Sequence, residues 1–127
     1  MTAAPALSPT ILIVDDHPDI LALLHRVVRQ LAPNCTIVPV PDAETALGYV
    51  TQHAVLLVLT DYHMPQMTGL ELTTMLKTST PAMRVVLITA HDTAELRQRA
   101  QRCGVDNFLP KPFPLDSLEQ IVRDILA

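Results

Sequence analysis

Residues 55–65 read VLLVLTDYHMP, an apolar run that ends on a threonine and then on a carboxylate, Asp61. With Ala54 in front, the run holds six successive apolar residues, Ala54 to Leu59, with no polar side chain at alternate positions. A strand with one wet face alternates, whereas a strand covered on both faces, as in a parallel sheet between two helical layers, does not. An acid that closes such a run marks the end of the core and directs attention to what lies beyond it.

Working outward, Thr10 to Val14 (TILIV) and Arg84 to Thr89 (RVVLIT) have the same character as Val55 to Thr60. Helical spacing separates them. Ile20, Leu24, Val27, Val28 and Leu31 form one stripe; Ala43, Ala46, Leu47 and Val50 a second; Leu72, Met75 and Leu76 a third. At the end of the chain Leu115, Leu118, Ile121, Val122 and Ile125 share a face opposite Asp116, Glu119, Gln120, Arg123 and Asp124. Two weaker strands are predicted over Cys35 to Val40 and Asp106 to Leu109, with a polar helix from Thr93 to Cys103 that Gly104 stops. Pro39 places the second strand at a sheet edge, because proline cannot donate to a ladder. The order βαβαβαβαβα with right-handed crossovers predicts an α/β fold, a doubly wound five-stranded parallel sheet with five helices on its two faces. Residues 1–9 read as a loosely held, flexible N-terminal tail and residues 10–127 as one domain.

Composition narrows the function. The 127 residues suit a single hydrophobic core, and 49% hydrophobic with 17% charged residues is the balance of a globular chain. A net charge of -4 and 3% aromatic residues argue against direct nucleic acid binding, which needs clustered basic residues and rings for stacking. The opening MTAAPALSPT lacks the basic start and long apolar core of a leader, and no run is long enough to span a membrane. Cys35 and Cys103 form no C-x-x-C pair and read as buried small hydrophobes in a reducing compartment. The expected location is cytoplasmic.

The polar residues fall at the carboxyl ends of the strands, where open α/β sheets gather ligands. Asp15 and Asp16 follow the first strand, Asp61 the third, Thr89 ends the fourth and Lys111 follows the fifth. Clustered carboxylates resist ionising together unless a cation is present, and an all-oxygen donor set suits a hard ion such as Mg2+. An acidic cluster beside a lysine and a hydroxyl meets the needs of phosphoryl transfer, with a carboxylate able to accept the group as an aspartyl phosphate.

In this order and at these spacings, Val14-Asp15-Asp16-His17-Pro18, then Asp61-Tyr62-His63-Met64-Pro65-Gln66-Met67-Thr68-Gly69, then Thr89-Ala90, then Phe108-Leu109-Pro110-Lys111-Pro112, the chain resembles the receiver domains of two-component response regulators. The resemblance covers about Thr10 to Leu126 and implies a flavodoxin-like sheet of order 2-1-3-4-5. It implies Asp61 as phosphoacceptor, charged by the phosphohistidine of a sensor histidine kinase or phosphotransfer protein. Asp15 and Asp16 would bind magnesium, with Asp61 and the backbone carbonyl of His63 completing the protein ligands. Thr89 would be the switch hydroxyl, Phe108 the switch aromatic, and Lys111 the phosphate-contacting lysine, with Lys111-Pro112 in cis. Output would pass through the fourth helix, fifth strand and fifth helix to an unidentified output protein or domain, the chain being a monomer or a phosphorylation-dependent dimer. It would be a phosphorelay switch that phosphorylates and dephosphorylates itself, not an enzyme by role.

Other readings stand beside this one. Asp15 or Asp16 would serve as a helix cap before Pro18, Thr89 as a strand end and Lys111 as a solvated charge. Gly69 reads as a permissive turn, Met64 and Met67 as gap-filling side chains, and His25 and His53 as residues on wet helix faces. His63 and His91 are expected to border the pocket and to tune phosphate lifetime. A magnesium-dependent phosphatase would use the same groups, but where an acid would protonate its leaving group two residues after Asp61, His63 stands. An unphosphorylated interaction domain is the third reading. Two departures from the receiver pattern are Val55-Leu56, where many receivers carry an acid, and Phe108, where many carry tyrosine.

Overall fold

The computed structural model describes residues 8–127, so most of the expected tail, residues 1–7, lies outside the described residues. Pro9 already joins the fold, its carbonyl accepting from the Thr36 amide at 2.8 Å. The elements are β1 (Thr10–Val14), α1 (Pro18–Leu31), β2 (Thr36–Val40), α2 (Ala43–Val50), β3 (Leu57–Asp61), α3 (Gly69–Ser79), β4 (Arg84–Thr89), α4 (Ala94–Cys103), β5 (Asn107–Pro110) and α5 (Leu115–Leu126). All strand pairs are parallel, and the order β2-β1-β3-β4-β5 is the expected one. Pro39 lies on the edge strand β2, opposite Ile13 of β1.

The unbroken apolar runs arise because neighbouring residues enter different cores. Ile11, Ile13, Leu57, Leu59, Val86 and Ile88 face α1 and α5, where Leu24, Val28, Leu118 and Val122 meet them. Leu12, Val14, Val58 and Val85 face the opposite layer, packing on Ala43, Ala46, Leu72 and Leu76 of α2 and α3. A third group, Leu70, Leu87, Leu96 and Ala100, seats α4. Each fully buried aliphatic side chain contributes about 1.5–3 kcal/mol relative to exposure, so a sheet covered on both faces stabilises the fold without aromatic residues.

Local signals fix the helix ends. The Asp42 carboxylate accepts from Thr45 N at 2.7 Å, Thr93 caps α4 through Leu96 N, and Thr68 with Glu71 forms a capping box at α3. Gly104 ends α4 at φ 97°, a left-handed conformation that glycine adopts without penalty. Differences from expectation are local. The ladder of β3 begins at Leu57 and extends through Asp61, and β5 begins at Asn107, just after Asp106, whose side chain ties β4 to α3. Cys35 and Cys103 are half-buried, not buried: each packs against the margin of a core cluster, and burial raises the Cys35 thiol pKa. No helix among the described residues is long and apolar enough to cross a membrane.

Candidate phosphoacceptor site

The carboxyl ends of β1, β3, β4 and β5 form one rim, and backbone hydrogen bonds extend it past the strands. Tyr62 N donates to Ile88 O at 3.0 Å and Lys111 N to Thr89 O at 2.7 Å, so the residues after β3 and β5 remain tied to β4. Asp61, the last residue of β3, is 7% exposed, and Asp15 just past β1 is 1% exposed. Lys111 Nζ donates to Asp61 Oδ1 at 3.2 Å and lies 4.0 Å from Asp15 Oδ2. The Lys111-Pro112 peptide is cis, as the resemblance implied.

Asp15, Asp16, His17 and Asp61 each offer a donor atom, all within 4.8 Å of one another. The helix-cap reading of the acids does not hold: α1 has His17 as its N-cap and no side-chain cap hydrogen bond. Asp15 Oδ1 instead accepts from His17 N at 2.9 Å, which turns the chain sharply after β1. The His17 ring was not singled out by sequence, yet its Nδ1 lies 3.3 Å from Asp15 Oδ1 and 3.2 Å from Asp16 Oδ1. Its position directly after the acidic pair was the available signal.

Electrostatically the rim holds more negative charge than it can balance. Burial raises the Asp61 pKa above the usual carboxylate range; the Lys111 ammonium pulls it back, and Asp15 raises it again. Asp16 Oδ1 is enclosed and accepts no hydrogen bond among the described residues, the His17 Nδ1 that stands 3.2 Å away being out of line for one. An unsatisfied buried carboxylate oxygen is costly, and it suits a hard cation. Oxygen ligands of magnesium stand about 2.0–2.1 Å from the ion, so two of them are separated by about 3–4 Å. The 4.8 Å spread of the donor atoms is close to that requirement, and the residues present fit the ion.

Thr89 ends β4, 1% exposed, and its Oγ1 accepts from His91 N at 3.0 Å. Phe108 lies opposite Leu87 in the β4–β5 register, half-buried against the cluster that seats α4. The rings of His63 and His91 meet edge to face at 4.6 Å, and both line a hollow of about 270 Å³ with Tyr62, Thr93, Glu95, Leu96 and Arg99. Met64 and Met67 pack on the α2–α3 core, the gap-filling role expected of them.

Gly69 has a different reason from the one predicted. Its φ is not in the left-handed region. A Cβ there would stand 2.4 Å from the Asp61 carbonyl oxygen and 2.7 Å from Leu87 Cδ1, and Gly69 N donates to Tyr62 O at 2.9 Å. The missing side chain lets the start of α3 press on the backbone of Asp61. The positive φ in this loop belongs to Gln66, at 72°.

The chain is similar to known proteins over nearly its whole length. The family model described as response regulator receiver domain matches residues 11–123. Sensor histidine kinase RcsC of Salmonella typhi is 37% identical over 110 residues, 87% of this chain and 11% of that protein. Transcriptional regulatory protein GlrR of Escherichia coli K12 is 32% identical over 116 residues, 91% of this chain and 26% of that protein. The chain thus spans about a tenth of the first relative and a quarter of the second. Among solved structures, the signal receiver domain of an HD domain-containing protein from Pseudomonas fluorescens Pf-5 superposes with TM-score 0.86 at 29% identity, covering 94% of each chain. A BeF3-activated DrrB receiver domain gives 0.84 at 25% identity, covering 94% of this chain and 98% of that one. Because the family match runs from the second residue of β1 into α5, the whole sheet and its acidic rim fall inside it, and the chain belongs to the response regulator receiver domain family.

Proposed function

We propose that the chain accepts a phosphoryl group on Asp61 from the phosphohistidine of a sensor histidine kinase or phosphotransfer protein. An Asp61 carboxylate oxygen attacks phosphorus, the phosphorus–nitrogen bond of the donor breaks, and the imidazole departs with a proton. The observation that carries this reading is the convergence of Asp61 with Lys111 at 3.2 Å inside a cluster of carboxylates with one unsatisfied oxygen. A magnesium ion held by Asp15, Asp16, Asp61 and the His63 backbone carbonyl would neutralise the phosphoryl oxygens. Lys111 meets the same oxygens as a point charge, and Thr89 offers its hydroxyl once that group leaves the His91 amide.

Withdrawal of Thr89 toward the phosphoryl group biases a two-state equilibrium that Phe108 follows, and affinity for an output partner changes on the face of α4, β5 and α5. That partner is a protein or a further domain, not nucleic acid, and association of two copies would use the same face. The exchange is proposed to take place in the cytoplasm. The His63 and His91 side chains, two residues beyond Asp61 and Thr89, tune how long the acyl phosphate survives. The chemistry is a limited self-phosphorylation and self-hydrolysis in the service of switching.

Incubation with a small phosphodonor and magnesium tests the reading. A stoichiometric, hydroxylamine-sensitive adduct that is lost in Asp61→Asn supports the switch. Continuous multiple turnover would support a hydrolase instead, and no adduct would support a passive interaction domain.

A further inference from the structure

We propose that Arg97 is a positioning residue for the switch: gripped by Asp92, its guanidinium holds Phe108 in the resting placement and thereby sets the fraction of chains ready for the phosphoryl group. The inference rests on the phosphoswitch reading above and adds the device that opposes it.

The geometry is a fork over a ring. Arg97 Nε donates to Asp92 Oδ1 at 2.5 Å and Nη2 to Asp92 Oδ2 at 3.1 Å, a two-point pairing that fixes the guanidinium plane. Arg97 Cζ stands 4.5 Å from the centroid of Phe108, well inside cation–π range. Asp92 lies three residues beyond Thr89, on the same loop whose His91 amide donates to the Thr89 hydroxyl. A continuous line of contacts therefore runs from the switch hydroxyl through the loop to Asp92, Arg97 and the switch ring. The Asp92 pKa is lowered, first by its hydrogen bond from Arg97, and that bond raises the Arg97 pKa in turn, so both groups are charged when the fork is closed.

The choice of side chains is particular to this role. Phe108 carries no hydroxyl, so a cation over its face is the polar handle the ring has. Arg99 of the same helix faces elsewhere: it lines the hollow beside His63 and His91, while Arg97 and Phe108 line a separate hollow of about 360 Å³ on the α4–β5 side. When Thr89 moves toward a phosphoryl group, the loop carrying Asp92 moves with it, the fork opens and the ring is released. An exposed cation–π contact and an exposed ion pair together correspond to a factor of about three to ten in such an equilibrium.

The test uses the full chain with beryllofluoride and magnesium as phosphoryl mimic, comparing wild type with Arg97→Ala, Arg97→Lys, Asp92→Asn and, as a control, Arg102→Ala. Half-saturating beryllofluoride is expected to fall about three- to tenfold in Arg97→Ala and Asp92→Asn, less in Arg97→Lys, and to stay unchanged in Arg102→Ala. In the unliganded variants the Phe108 ring resonances should move toward their positions in the beryllofluoride-bound wild type, which a general loss of stability would not produce. Unmoved or weaker binding in both Arg97→Ala and Asp92→Asn, with a responsive wild type, overturns the latch alone. A wild type that ignores beryllofluoride removes the phosphoswitch reading and the latch with it.

Discussion

The two ends of the sheet each carry a lysine–aspartate pair, with opposite outcomes. At the amino end of β5, Asp106 accepts from Lys77 Nζ and Val85 N, both at 2.8 Å, with Arg84 Nε at 3.6 Å from its other oxygen. Two cations and an amide thus satisfy one carboxylate and bind α3, β4 and β5 together. At the carboxyl end a single ammonium, Lys111, serves Asp61 and Asp15, and Asp16 keeps an oxygen that accepts no hydrogen bond among the described residues, with only the His17 ring beside it. The same chemistry is used up at one end and left in surplus at the other. Unmatched charge on a rigid rim is what a ligand can complete, and it separates a working site from a structural tie.

The contrast can be broken from either side. The largest effect is expected for Asp15→Ala or Asp16→Asn, which should weaken magnesium binding by about 100-fold or more in titrations followed by calorimetry, with little loss of fold. Affinity retained within a factor of about three would show that these acids are not ligands. Next, Asp106→Ala should destabilise the chain by about 2–3 kcal/mol in urea, because Val85 N and Lys77 lose their shared acceptor, while magnesium affinity stays unchanged. Gly69→Ala should cost about 1–3 kcal/mol and, unlike Asp106→Ala, should also slow formation of the proposed adduct, since the new methyl displaces the Asp61 carbonyl.

The smallest effect runs in the opposite direction. The folded Asp61 carboxyl has a raised pKa, so above the ordinary aspartate value of about 3.9 the folded chain holds a proton that the unfolded chain releases. Stability contributed by that proton is present at low pH and is lost as pH rises through the folded pKa. Metal-free Asp61→Asn should therefore exceed the wild type in stability at neutral pH, read as a higher Tm, with the gap closing on acidification. A gap that widened toward acid pH would place the opposite sign on Asp61.

Most of the fold was legible because each strand that lies inside the sheet is largely an aliphatic run, as suits a parallel sheet covered on both faces, and helical stripes separate the runs. The rim acids were legible for a related reason: Asp61 interrupts an apolar run at its end, where burial needs a purpose. What escaped the sequence depends on tertiary approach. Arg97 is one of several arginines on a polar helix until β5 brings Phe108 beneath it. Asp106 reads as a strand residue until Lys77 arrives from 29 positions away. Gly69 reads as a turn residue until the carbonyl of Asp61 is found pressed against it.

Pro39 has a consequence for how this molecule can meet others. An outermost strand normally exposes a row of amides that a foreign strand can zip onto, and one ring nitrogen without a hydrogen interrupts that row on β2. The opposite border is short and closes on Pro110. With both margins of the ribbon unsuited to strand addition, copies or partners are steered toward helical faces, the surfaces through which the proposed switch would act.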